Sequence, residues 1–121
     1  MTALKMLKSP TITKEKTDSV MAKKLSPIPP GEILLAEFMV PLGISQNQLA
    51  RDLGVNAARV HEIVHGQRGI SAETALRLAA YFKTTAEFWM NLQTRYDLKL
   101  AERAHGTGIR KSVKPAQSKA A

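Results

Sequence analysis

The run His61-Glu62-Ile63-Val64-His65 is a literal H-E-x-x-H. On a helix this spacing sets two imidazoles one turn apart, with a carboxylate beside them that can act as general base toward a zinc-bound water. Taken at face value, it would make the chain a zinc-dependent hydrolase. The surrounding residues argue against that chemistry. Gly66 ends the helix immediately, and the face carrying the pair would be convex rather than a shielded cleft. Cysteine is absent, and the third histidine, His105, lies toward the chain end, so a third ligand is poorly supplied. A chain of 121 residues also lacks the mass for a zincin's substrate cleft. The expectation is no catalytic residue, no metal and no cofactor, with adventitious metal binding by the two histidines as a lesser reading.

The same residues fit a second kind of chemistry. Val60, Ile63 and Val64 form an apolar anchor, and at ~100° per residue their mean direction leaves Ala58, Glu62 and His65 facing away, with Arg59 and His61 on the flanks. A helix presented in this way can enter a DNA major groove with its N-terminal part against base edges. Arg59 can pair with guanine, Glu62 can accept from cytosine N4, and Ala58 can touch a thymine methyl. The candidate base-contacting set is Asn56, Ala57, Ala58, Arg59, His61 and Glu62. Ser45, Gln46 and Asn47 open the preceding helix, where backbone N–H groups and the helix dipole favour phosphate, and His65, Gln67 and Arg68 follow the recognition helix. These six are the candidate phosphate contacts. The bland alternative is a plain helical bundle in which the same side chains form a solvated face.

Positioning these residues requires a helix-turn-helix. Ser45 with Gln48 has capping-box spacing, Leu49, Ala50 and Leu53 form a buried face, and Gly54 ends that helix; Asn56 caps the next. Val55 is expected to plug the turn into the core. Around this pair the spacing predicts three further helices. The first opens at Pro29-Pro30, carries the stripe Ile33, Leu34, Phe38 and Leu42, and stops at Pro41 and Gly43. The fourth starts at Ser71 and buries Ala75, Leu78, Ala79 and Phe82; the fifth starts at Thr84, with Glu87 at capping-box spacing, and ends near Arg103. No alternating strand pattern and no internal repeat is visible. The expected fold is all-α: a compact five-helix domain over residues 28–103.

The charge distribution supports this division. The net charge is +8, yet residues 28–103 are neutral, while residues 1–27 and 104–121 carry +4 each. Both ends are rich in Lys, Ser, Thr, Pro and Ala, without a sustained apolar period, and read as flexible basic tails. Met21 is a plausible alternative start. No apolar run approaches the ~18 residues of a membrane span and no secretory h-region is present, so a cytoplasmic location and no membrane partner are expected. A domain of this size cannot cover every large side chain. Trp89, Leu92, Tyr96, Leu98 and Leu100 on the fifth helix are therefore expected to form a homodimer interface, which would place two recognition helices ~34 Å apart on an inverted repeat in double-stranded DNA.

Beyond these readings, the chain resembles a known family. Pro30-Gly31-Glu32, Pro41-Leu42-Gly43-Ile44-Ser45-Gln46, Leu49-Ala50, Gly54-Val55, Arg59-Val60, Glu62-Ile63-Val64, Gly66-Gln67-Arg68-Gly69-Ile70 and Thr74-Ala75-Leu76-Arg77-Leu78-Ala79 are similar to HigA-type antitoxins, lambda-repressor-like (Xre-type) helix-turn-helix proteins. So is the specific run Glu87-Phe88-Trp89, Asn91-Leu92-Gln93, Tyr96-Asp97-Leu98. The resemblance spans residues 29–103 and neither tail. It implies a dimeric antitoxin that binds a RelE-like ribonuclease toxin and represses its own toxin–antitoxin operon. A stand-alone helix-turn-helix regulator without a toxin partner is the alternative. The long basic N-terminal extension departs from the family pattern.

Overall fold

The computed structural model describes residues 26–117. The readings that fall on residues 1–25 and 118–121, Met21 as a start, nearly all of the N-terminal tail and the last four residues of the C-terminal tail, lie outside the described residues. Within them the chain forms five continuous helices and no strand. Helix α1 covers residues 30–42 as Pro30–Ile33, a π-helical stretch Leu34–Met39, and Val40–Leu42. It is followed by α2 (Gln46–Leu53), α3 (Ala57–Val64) and α4 (Ala72–Phe82). Helix α5 covers residues 86–112 as Ala86–Ala101, a π-helical stretch Glu102–Gly106, and Thr107–Ser112.

Local chemistry sets most of the boundaries. Ser45, Asn56, Ser71 and Thr85 each accept a hydrogen bond from the backbone N–H three residues on, satisfying a donor that the first turn leaves unpaired. The fifth cap corrects the sequence reading by one residue. Thr84 was expected to open α5, but its Oγ1 accepts the indole N–H of Trp89 at 2.8 Å, and Thr85 caps instead. The α1 stripe is corrected too. In the π-helical stretch residues five apart align, so Leu34 and Met39 are buried together, whereas Leu42 is 62% exposed.

The core is Leu34, Met39, Leu49, Ala50, Leu53, Val60, Ile63, Ile70, Ala75, Leu78 and Trp89. Phe38 packs against Phe82, Phe88 and Trp89 at ring separations of 5.0, 5.9 and 4.9 Å, which joins α1 to α4 and α5. Helix α5 does not stop near Arg103 but continues to Ser112. Two glycines, Gly106 and Gly108, each weaken a helix by roughly 0.5–1 kcal/mol and hide this extension from a propensity reading. Arg110 bridges back to Glu102 at 2.7 Å across the π-helical stretch, and a Cβ at Gly106 would run into that carboxylate. Beyond Tyr96 every described residue except Gly106 is exposed. No helix among the described residues is long and apolar enough to cross a membrane.

Candidate nucleic-acid interface

Helices α2 and α3 meet through a tight turn. Gly54 adopts φ 76°, the left-handed region that a side chain resists, and the N–H groups of Gly54 and Val55 both donate to the Ala50 carbonyl at 3.0 Å. Val55 is half-buried against the core. Arg77 of α4 donates to the Leu53 carbonyl at 2.7 Å, closing the C-terminal end of α2. Behind α3, Gly31 lies so close that a Cβ there would collide with the Ile63 carbonyl. Buried Val60 and Ile63, with half-buried Val64, fix the rotation of α3 and turn its other face outward.

All of the sequence-selected DNA-contact residues lie on the cap and first turn of α2, on α3 with its cap, and in the loop that follows. Ala57, Ala58, His61 and His65 are exposed; Arg59 and Glu62 are half-buried. Asn56 uses its Oδ1 to cap α3, accepting from Arg59 N–H at 2.9 Å, which leaves its side-chain N–H groups as donors. Ser45 is likewise engaged as a cap, with Gln48 N–H at 3.1 Å. Gln46 and His61 sit together, His61 Nδ1 lying 3.3 Å from Gln46 Oε1, so the start of α2 and the middle of α3 share one surface. Asn47 and Gln67 are exposed. The loop after α3 is pinned at both ends. The Glu62 carbonyl accepts from the Gln67 and Arg68 N–H groups at 2.8 and 3.2 Å, and Ile70 N–H donates to Gln93 Oε1 at 2.7 Å.

The charged members are not free in this structure. Arg68 Nε donates to Glu62 Oε1 at 2.7 Å, leaving Glu62 Oε2 as the acceptor available to a base. Arg59, with its side chain 29% exposed, lies 3.5 Å from Glu73, whose other oxygen takes Arg77 Nη2 at 2.9 Å. The Arg77 hydrogen bond and charge, with Arg59 assisting, hold the Glu73 carboxyl below its ordinary value. An exposed ion pair contributes about 0–1 kcal/mol. The Arg59–Glu73 pair is therefore weak enough for a stronger partner to displace. Neither Glu73 nor Arg77 was selected from sequence; their i,i+4 spacing on α4 was the available signal.

The five residues assigned to a dimer interface separate into different environments. Trp89 is fully buried in its own chain and is corrected to a core residue: its ring lies against Phe38 and its N–H is satisfied by Thr84. Leu92 and Tyr96 are half-buried, whereas Leu98 and Leu100 are 64% and 43% exposed.

A helix-turn-helix whose second helix presents small and hydrogen-bonding side chains beside phosphate-type donors defines the lambda-repressor-like class of DNA-binding fold. Comparison with known proteins agrees, a helix-turn-helix family model matching residues 35–89. Virulence-associated protein I of Dichelobacter nodosus is 55% identical over 75 residues, covering 62% of this chain and 69% of that protein. Antitoxin HigA-1 of Vibrio cholerae is 39% identical over 75 residues, covering 62% of this chain and 70% of its own length. Among solved structures, the Pseudomonas aeruginosa antitoxin HigA with higBA promoter superposes with a TM-score of 0.73 at 50% identity, covering 75% of this chain and 99% of that one. Two further relatives, from Escherichia coli and Haemophilus influenzae, are described as uncharacterised helix-turn-helix transcriptional regulators. The chain belongs to the HigA-type antitoxin family of helix-turn-helix proteins.

Proposed function

We propose that this protein is an antitoxin and sequence-specific repressor, binding as a homodimer to an inverted repeat near its own promoter and neutralising a RelE-like ribonuclease toxin. The observation that carries the DNA-binding part is the exposed start of α3. Ala57 and Ala58 allow close backbone approach, and half-buried Arg59 beside them pairs with Glu73 at 3.5 Å. Asn56, His61 and Glu62 complete the proposed base-reading set; Ser45, Gln46, Asn47, His65, Gln67 and Arg68 are the proposed phosphate contacts. The similar Pseudomonas aeruginosa structure, solved with a promoter, supports DNA as the ligand. The dimer reading draws on the apolar side chains that α5 leaves uncovered, Leu98, Leu100 and Ile109. Family membership supports the toxin partner.

Gel shift on the DNA upstream of the coding sequence, against excess random competitor, tests the repressor. Retention of a discrete dimer-sized complex is expected, and loss of all preference for the upstream DNA overturns it. Co-purification with the product of an adjacent reading frame tests the antitoxin reading. Operator binding without any such partner would favour the stand-alone regulator; the Escherichia coli and Haemophilus influenzae relatives carry the name of transcriptional regulator.

A further inference from the structure

We propose that His61 and His65 form a binding site for one first-row transition dication of the zinc type, held through their two Nε2 atoms. The inference rests on side-chain geometry; both residues also belong to the proposed DNA contacts, so zinc and DNA would compete for them. The two residues lie one helical turn apart on the exposed face of α3, their ring centres 4.0 Å apart and their planes 35° from parallel. Both tautomers are set by neighbours. His65 Nδ1 lies 2.8 Å from the His61 carbonyl oxygen, which can only accept, so the proton is on Nδ1. His61 Nδ1 lies 3.3 Å from Gln46 Oε1 and donates to it. A neutral imidazole has one N–H, so both rings keep their lone pair on Nε2. Metal-bound histidines are held in this way, the second nitrogen donating to a carbonyl that fixes the ring and raises its basicity.

The remaining surroundings decide what kind of site this is. Glu62 is bonded to Arg68, and no group of three or more His, Cys, Asp or Glu among the described residues could hold a metal. Water fills the other positions, so the site is open and weaker than a closed four-ligand zinc centre. Imidazole ligands suit zinc, copper(II) and nickel over magnesium or calcium. An ion ~2.1 Å from each nitrogen needs ring centres roughly 5 Å apart, a modest opening that side-chain rotation supplies at an exposed site.

The test is a zinc chloride titration of the untagged full-length protein, purified without a nickel column and followed by calorimetry and by 15N imidazole resonances. One zinc per chain is expected, with the Nε2 signals of both residues shifting and their Nδ1–H retained. His61→Gln and His65→Gln should each weaken binding about tenfold or more, while His105→Gln leaves it unchanged. Both changes are at exposed positions, and circular dichroism will report an intact fold. Full affinity in either single variant, loss of binding in His105→Gln, zinc shifts on Nδ1, or no binding up to millimolar zinc overturns the site.

Discussion

Arg59 links three elements through one side chain. It starts on α3, reaches Glu73 at the first turn of α4, and through Glu73 meets Arg77, which holds the end of α2. Arg59→Ala should lower operator affinity by ~1–3 kcal/mol and relax preference at one base position. A uniform loss across all sequences, measured on a panel of operator variants, would assign Arg59 to phosphate instead. Glu73→Gln should act in the opposite direction, removing the competing carboxylate and strengthening binding to all DNA. The same substitution has a pH signature. The Glu73 carboxyl is held below its ordinary 4.5, chiefly by Arg77, so its stabilising effect is complete above 4.5 and is lost as pH falls through the lowered folded value. Thermal melts from neutral to acidic pH should show a steeper acid decline in the wild type than in Glu73→Gln; parallel curves would show that the pairing does not contribute. Glu62→Gln should release Arg68 and raise non-specific binding while blunting operator selectivity. Unchanged selectivity would show that Glu62 does not face the bases.

Helix α3 is also placed from behind, by its close contact with α1. The Gly31–Ile63 approach is too close for any side chain. Gly31→Ala should therefore push the two helices apart, cost ~1–3 kcal/mol by overpacking, and weaken operator binding through a displaced α3. Chemical denaturation with gel shift checks both effects, and unchanged stability would show that the contact yields freely. Gln93 fixes the other side of the interface, its Oε1 on Ile70 N–H and its Nε2 on Asp97 at 2.9 Å, so the loop carrying Gln67 and Arg68 is tied to α5. That tie gives a structural role to the Asn91-Leu92-Gln93 run on which the family resemblance partly rests.

The whole chain divides its charge unevenly, and this bears on how it would meet DNA. Cutting to residues 26–112 keeps all five helices and removes a net +6. Each phosphate neutralised contributes ~0.9 to the slope of log K against log salt. The shortened protein should therefore keep operator preference and toxin binding but show a distinctly shallower slope. Identical slopes would mean that the removed segments never touch DNA. A cut at residue 103, the boundary read from sequence, would divide α5. The exposed apolar side chains of α5 make a second test. Leu98→Asp should shift a dimer toward monomer in light scattering without lowering monomer stability, whereas Trp89→Ala should lose ~3–5 kcal/mol of folding stability at any concentration. Dimer retained in Leu98→Asp moves the interface elsewhere.

Helix number, the caps at Ser45, Asn56 and Ser71, the left-handed turn at Gly54 and the outward face of α3 were all legible in the residue order. Each of these depends on interactions between residues at most four or five positions apart, and those leave a periodic trace in sequence. The features that escaped the reading depend on how helices cross. Trp89 was assigned to an interface but is buried, because Phe38 of α1 and Phe82 of α4 meet its ring. Thr84 passed the cap to Thr85 because that burial brings the indole N–H onto its hydroxyl. Arg59 and Glu73 are fourteen positions apart, and only the packing of α3 beside α4 brings their charges within 3.5 Å. The π-helical turns that bury Met39 and carry α5 on to Ser112 lie between these cases. They are local in extent, yet a single added residue per turn shifts the phase of the apolar stripe, and a reading at 3.6 residues per turn cannot follow that shift.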